Sequence, residues 1–205
     1  MIIVNTVVLV QSQLGLGQRQ TAWALAAFGG GSMIAAFILP RLLDRVPDRT
    51  VMLAAASILP LALAGMTVVS IYSGILLLWL ATGFAYASAQ TPSGRLLKRS
   101  SNDENRPALF AAHFAASHAC WLLCYPLAGW LGAIFGLQAT ALVLSAIATV
   151  GVLIAFAVWP STDVFEVEHQ HPELSDDHPH LREHSPQGKH RHAYVIDEHH
   201  LRWPG

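Results

Sequence analysis

Histidine is the residue type whose placement in this sequence most directly suggests chemistry. Nine of the 11 histidines fall in the last part of the chain: His169, His171, His178, His180, His184, His190, His192, His199 and His200. Neutral imidazole suits zinc, copper and nickel, and the neighbouring Asp and Glu residues add oxygen ligands. This pattern predicts weak, multisite binding of these metals, and the chain requires no cofactor. Spacing defines no single closed site, so a solvated tail with incidental affinity is the alternative.

The other two histidines, His113 and His118, lie inside an apolar stretch. An ionisable side chain at membrane depth is costly and usually faces a cavity or a partner, so both are candidates for handling substrate or protons. Five residues apart on a helix, they would point about 140° from each other, which makes a shared metal difficult. Tyr86 and Gln90, four residues apart, are further candidates for substrate contact. Interhelical hydrogen bonding is the alternative role for all four.

Composition separates the chain into two regions. Of the 205 residues, 53% are hydrophobic and 12% charged, against about 25% charged in ordinary soluble domains. Residues 1–160 carry a net charge of +4, and residues 161–205 carry −5. We therefore predict a transmembrane domain over 1–160 and a tail over 161–205, whose prolines and acidic residues favour an extended or disordered chain.

Other functional classes find little support in the sequence. Basic residues are confined to short clusters, whereas nucleic-acid binding usually needs an extended basic face. The sequence also has no glycine-rich nucleotide loop, no Gly-x-Ser-x-Gly and no His-Glu-x-x-His motif, so an enzyme is not expected.

The number of membrane spans follows from stretches without Asp, Glu, Lys or Arg, since a spanning helix needs about 20 apolar residues. Three such stretches are 20–40, 50–94 and 107–162. With breaks near 70–74 and 132–138, they predict five complete spans. Residues 2–14 are too short to cross alone, lack the start of a signal peptide, and look like the second half of a severed helix. The predicted fold is an all-α polytopic membrane helix bundle, with five full spans, a partial N-terminal one and a disordered tail.

Orientation and packing can also be predicted. Seven of the eight basic residues of the body lie in two clusters: Arg41, Arg45 and Arg49, then Arg95, Lys98, Arg99 and Arg106. Short loops rich in Lys and Arg stay cytoplasmic, so the tail should be cytoplasmic. The chain should be an integral protein of a bacterial inner or cell membrane, with the lipid bilayer as its partner. Glycines 29–31 and the pair Gly132 and Gly136 predict close helix packing.

The first basic cluster belongs to the loop sequence Pro-Arg-Leu-Leu-Asp-Arg-Val-Pro-Asp-Arg at 40–49. Asp44, Arg45 and Arg49 match a motif that the major facilitator superfamily carries between its eighth and ninth helices, whereas prolines replace its glycines. Residues 1–160 thus resemble the C-terminal half of such a transporter, from a partial helix seven to helix twelve. The resemblance implies that these three residues form a charge network at the cytoplasmic gate. A solvated loop that only sets orientation is the alternative.

The resemblance also has implications for function. It implies the C-terminal half of a secondary, alternating-access transporter of a small solute, which works with a missing N-terminal half or a second copy. A truncated gene product would explain the chain most simply. The tail is similar in composition to that of members that export nickel or cobalt, which favours divalent metal export. The competing hypothesis is a membrane-anchored metal-binding sensor or accessory subunit without transport of its own.

Overall fold

The computed structural model describes residues 2–160, and the backbone alone of residues 166–170 and 189–193. Its elements are α1 (Ile2–Val7), a π-helical segment (Val8–Gln13), α2 (Gln18–Leu43), α3 (Asp48–Gly65), α4 (Tyr72–Gln90), α5 (Ser93–Arg99), α6 (Arg106–Val158), β1 (Glu166–Gln170) and β2 (Lys189–Ala193). Apart from the two short strands, the regular structure described is helical. The predicted all-α class is confirmed.

The long helices match the dimensions and composition of membrane spans. Four stretches in the described part of the chain are long and apolar enough to cross a bilayer: α2, α3, Tyr72–Arg99 and α6. Large apolar side chains such as Phe37, Leu61 and Leu122 are more than 70% exposed. A helix satisfies its backbone hydrogen bonds internally, so such a surface is stable against lipid tails. The chain is an integral membrane protein.

Helix α6 holds the predicted fourth and fifth spans. Its 53 residues would extend about 80 Å at 1.5 Å per residue, far beyond the roughly 30 Å of a hydrocarbon core. Gly136 interrupts the helix with φ 78° and ψ 168°, a conformation that essentially only glycine adopts. This residue lies within the predicted break at 132–138. It divides α6 into a first arm (106–135) and a second arm (137–158).

Helices α2 and α4 touch at a pair of glycines. A Cβ atom on Gly31 would lie 1.9 Å from the carbonyl oxygen of Leu80, and one on Gly83 would lie 1.9 Å from that of Phe28. Close packing is therefore confirmed for Gly31 of the triple glycine. The prediction is wrong for Gly136, where a Cβ would meet nothing within 4 Å, because its role is to break the helix.

The N-terminal segment packs into the bundle although it is too short to span. Leu9 and Val10 of the π-helical segment are buried in one apolar cluster with Ala24, Ile75 and Trp79. Burial of these side chains holds the segment against α2 and α4. The predicted partial helix is thus a packed element of the fold.

The chain separates into two compact units by its internal contacts. One comprises Met1–Ser93 and Phe114–Pro160, and the other comprises Gly94–His113 and Ser161–Gly205. The first contains α1 to α4, the second arm of α6 and most of its first arm. The division into a membrane domain over 1–160 and a tail over 161–205 remains a prediction.

The tail contributes the two strands. β1 and β2 pair antiparallel, with His169 opposite His190 and Glu168 opposite Arg191. An extended or disordered chain was expected here, and over these ten residues the backbone is extended and paired.

Candidate functional site

The structure brings Tyr86 and Gln90 together near the C-terminal end of α4. Their side chains are hydrogen-bonded to each other, and Tyr125 from the first arm of α6 lies close enough to Tyr86 to interact electrostatically. The ring of Phe28 on α2 completes the group, with its centroid 5.9 Å from that of Tyr86. Tyr86 is half-buried and Gln90 is exposed. Side chains from three helices thus form one polar and aromatic cluster, which we call the Tyr86 cluster.

His118 lies in a stripe of aromatic side chains on the first arm of α6. Its ring stacks on Phe114 with centroids 3.8 Å apart and lies 5.1 Å from Trp121. Trp121 in turn stacks on Tyr125 at 6.0 Å. Spacings of three and four residues place side chains on one helix face. The stripe therefore leads along α6 from His118 to the Tyr86 cluster.

The hydrogen bonding of His118 determines what its ring can offer. Nδ1 lies 2.8 Å from the carbonyl oxygen of Phe114. A carbonyl can only accept, so Nδ1 carries the proton in this bond, and in the neutral ring Nε2 is then an acceptor. The exposed side chain can present that lone pair to a proton, a donor group or a metal ion. His113 lies five residues earlier, is half-buried and makes an interaction of its own.

The residues of the predicted gating loop have different surroundings in the structure. Asp44 caps the C-terminal end of α2, and both Asp44 and Arg45 are exposed. Arg49, in the first turn of α3, donates from Nε to the carbonyl oxygen of Trp159 at 3.1 Å. Its guanidinium also lies over the ring of Phe156, 5.9 Å from the centroid. A cation at the C-terminal end of a helix stabilises that helix. The contacts of Arg49 therefore connect the end of α6 with the start of α3.

Metal ligands do not cluster in the bundle. Among residues 2–160, no group of three His, Cys, Asp or Glu side chains could hold a metal ion. Of the tail histidines, His169, His190 and His192 lie in the strands. The remaining six lie outside the described residues: His171, His178, His180, His184, His199 and His200.

With this geometry established, a comparison with protein-family models identifies the chain. The model of the Major Facilitator Superfamily matches residues 1–192. The chain belongs to this superfamily. Neither the comparison with curated proteins nor that with solved structures found a match.

Membership of the major facilitator superfamily makes the chain a secondary transporter protein rather than an enzyme, with the bilayer and a small solute as its partners. The match extends beyond the bundle through β1 and most of β2, so it covers more of the chain than the predicted resemblance over residues 1–160. A transporter needs polar groups at membrane depth, and those described above are its candidates.

Two buried polar residues of this superfamily member, Asn5 and Thr6, were not among the residues predicted from the sequence. Thr6 accepts a hydrogen bond of 3.0 Å from the indole of Trp79, and both side chains are buried. Asn5 donates from Nδ2 to the carbonyl oxygen of Ala128 at 3.2 Å. The available signal was the pair Asn-Thr within an otherwise apolar run. These bonds tie the N-terminal segment to α4 and α6.

Proposed function

We propose that this chain is the C-terminal half of an alternating-access transporter and that its solute passes along the Tyr86 cluster and the aromatic stripe. The observation that carries the proposal is the convergence of Tyr86, Gln90 and Tyr125 from two helices, with Tyr125 connected through the ring of Trp121 to the exposed ring of His118. Polar and ionisable groups at membrane depth are costly and mark substrate or ion pathways. Transporters of this type place their site between two structural repeats, so a second half would complete it.

A divalent metal ion is the proposed solute, exported from the cytoplasm. The tail supports this assignment, because its histidines are suitable ligands for nickel, cobalt and zinc and resemble the tails of metal-exporting members. Tail and bundle would then act in sequence, the tail collecting ions weakly and the bundle moving them. His113 and His118 are the proposed residues for metal or proton handling, and Asp44, Arg45 and Arg49 form the proposed gate.

Flux measurements test this proposal directly. The full chain is reconstituted in proteoliposomes, alone and with a co-expressed N-terminal half of a superfamily member, and nickel entry is followed with an enclosed dye. We expect nickel flux that His118→Gln and Gln90→Ala each reduce by about tenfold or more, since each removes a polar group from the pathway. Thr91→Ala is the matched control for Gln90→Ala, because Thr91 is exposed and bonds only to its own helix. Flux unaffected by either pathway variant would overturn the proposed route.

The second candidate function is a membrane-anchored metal sensor or accessory subunit. The histidines of the tail favour it as much as they favour export, because a sensor also needs exchangeable ligands. The two functions differ in a simple observation. Metal binding that orders the tail without nickel flux in either reconstitution supports the sensor, whereas flux supports the transporter.

A further inference from the structure

We infer that a cavity at one end of the bundle is a binding site for an uncharged molecule with a compact apolar body and a hydroxyl or amide head. The cavity has a volume of about 270 Å³. It lies where the π-helical segment, the turn between α3 and α4, and the start of the second arm of α6 meet. The inference goes beyond the proposed transport function, because occupancy of this cavity can be measured without any flux.

The walls of the cavity come from three segments at which helices end or break. They are contributed from within residues 9–14 of the N-terminal segment, from within residues 66–70, and by Leu137 and Gln138. The last two residues directly follow the break in α6 at Gly136. A molecule in the cavity would therefore touch three parts of the chain that are far apart in sequence.

The position of the cavity along α3 indicates the side from which a ligand arrives. Residues 66–70 follow the C-terminal end of α3, and the loop at 44–47 precedes its start. That loop is predicted to be cytoplasmic, so the cavity lies toward the outer side of the membrane in the same orientation. Its ligand would come from the external solution or from the outer leaflet.

The inner part of the cavity is apolar. Leu9, Met66 and Leu137 line it, and all three are buried in one hydrophobic cluster with Ile75 and Trp79. Removing apolar surface of a ligand from water against these side chains is favourable. This part of the cavity suits the apolar body of the ligand.

The rim supplies hydrogen-bonding groups. Gln13, Ser70 and Gln138 also line the cavity, and all three residues are exposed. A carboxamide offers two donors and an acceptor, and a hydroxyl both donates and accepts. These groups can therefore bond a hydroxyl or an amide head in either direction, while the apolar body lies below it.

The absence of charge in the lining distinguishes this site from an ion site. The described residues that line the cavity are all uncharged, and a charge that is removed from water without a partner is costly. An ammonium or a carboxylate would lose hydration here without meeting an opposite charge. An alcohol would replace its hydrogen bonds to water with bonds to the rim.

The volume limits the size of the ligand. An apolar cavity of about 150 Å³ holds one benzene molecule, and sites for drug-sized ligands have about 300–1,000 Å³. The cavity therefore suits a molecule somewhat larger than benzene, such as benzyl alcohol. The same chemistry occurs in the glycerol head and first acyl carbons of an uncharged lipid.

Binding should stabilise the segments that form the walls, because a ligand that binds only the formed cavity favours that state. We expect slower hydrogen exchange at residues 66–70 and 137–140 when the cavity is occupied. Residues 44–47, at the other end of α3, should exchange at an unchanged rate.

The test titrates the full chain in detergent with para-fluorobenzyl alcohol and follows the fluorine NMR signal of the probe. We expect one saturable site per chain. The charged analogues para-fluorobenzylammonium and para-fluorobenzoate should bind at least tenfold more weakly, since the lining has no charge to pair with them. Equal affinity for the alcohol and its charged analogues would overturn the site, as would partition into the micelle without saturation.

Two pairs of variants locate the binding. Gln138→Ala removes one rim amide and should weaken binding about three- to tenfold, the net effect of one hydrogen bond. Gln18→Ala is its matched control, because Gln18 is an exposed glutamine outside the lining, and it should change affinity less than twofold. Ser70→Trp fills the rim and should abolish saturable binding, whereas Ser73→Trp, at an exposed serine outside the lining, should preserve it. Saturable binding that survives Ser70→Trp would place the probe elsewhere and contradict the inference.

Competition then identifies the source of the ligand. Stronger displacement of the probe by monooctanoylglycerol than by benzyl alcohol supports a lipid head, and the reverse order supports a free solute. Nickel flux in proteoliposomes remains a separate measurement, so failure of this site and failure of the transport proposal can be told apart.

Discussion

Single residues at the contact between α2 and α4 decide how closely these two helices approach. Gly31 and Gly83 leave no room for a side chain, and Ser32 donates a hydrogen bond of 3.0 Å to the carbonyl oxygen of Gly83 at the same crossing. In membranes, helix association relies on such close packing and interhelical hydrogen bonds rather than on the hydrophobic effect. The crossing also holds Phe28 beside Tyr86, so it positions the Tyr86 cluster.

Gly31→Ala should therefore destabilise the bundle. Its Cβ would lie 1.9 Å from the backbone oxygen of Leu80, and backbone cannot rotate away as a side chain can. Overpacking typically costs about 1–3 kcal/mol, so the urea midpoint in mild detergent should fall. Gly30→Ala is the matched control, because a Cβ there meets nothing within 4 Å. Equal stability of the two variants would mean that the helices do not pack through Gly31.

At the scale of elements, the division of α6 into two arms depends on the backbone conformation of Gly136. Gly136 separates the two arms, and Thr140 of the second arm donates a hydrogen bond of 2.8 Å to its carbonyl oxygen. Two further contacts hold the second arm to α3: Ser145 donates to the carbonyl oxygen of Pro60 at 2.8 Å, and Arg49 binds the C-terminal turn. The break therefore sets the direction in which the second arm returns to α3.

Gly136→Ala tests the role of this break. Holding an alanine at φ 78° and ψ 168° should cost about 1–3 kcal/mol, and the strain can be relieved by straightening α6, which would pull Ser145 away from Pro60. We expect a lower thermal midpoint and faster hydrogen exchange in the second arm. Gly132→Ala should behave like the native chain, because its Cβ would make only ordinary contacts of 3.5–3.6 Å with Asn5 and Leu137. The break would be dispensable if both variants had native exchange rates.

How much could be predicted from the sequence differed between these elements. The spans were predictable because long runs without charge have few other stable structures, and the two glycines within 132–138 located the break. The contact between Arg49 and Trp159 could not be predicted, because it joins residues more than 100 positions apart. In the sequence, a basic residue in a loop motif looks the same whether it binds an aspartate or the end of a helix. For Asn5 and Thr6, local polarity was visible in the sequence, but their partners depend on the tertiary packing.

At the scale of the whole molecule, the distribution of basic residues predicts one orientation in the membrane. Orientation follows the Lys and Arg content of short loops, and the loop at 94–106 is basic, whereas the turn at 66–71 has no charge. The side on which the tail lies matters for the proposed function, because a cytoplasmic tail could collect ions for export and a tail on the other side could not.

Cysteine labelling in intact cells tests this orientation. In a background with Cys120 and Cys124 replaced by alanine, Ser73→Cys should react with an impermeant maleimide from outside, and Ser100→Cys should react only after permeabilisation. Both serines are exposed, so burial does not bias the comparison. Neutralising the loop with Arg95→Gln, Lys98→Gln and Arg99→Gln removes most of its charge and should give mixed labelling at both positions, since the orientation depends on that charge. Labelling of Ser100→Cys in intact cells with the loop unchanged would place the tail outside and contradict export from the cytoplasm.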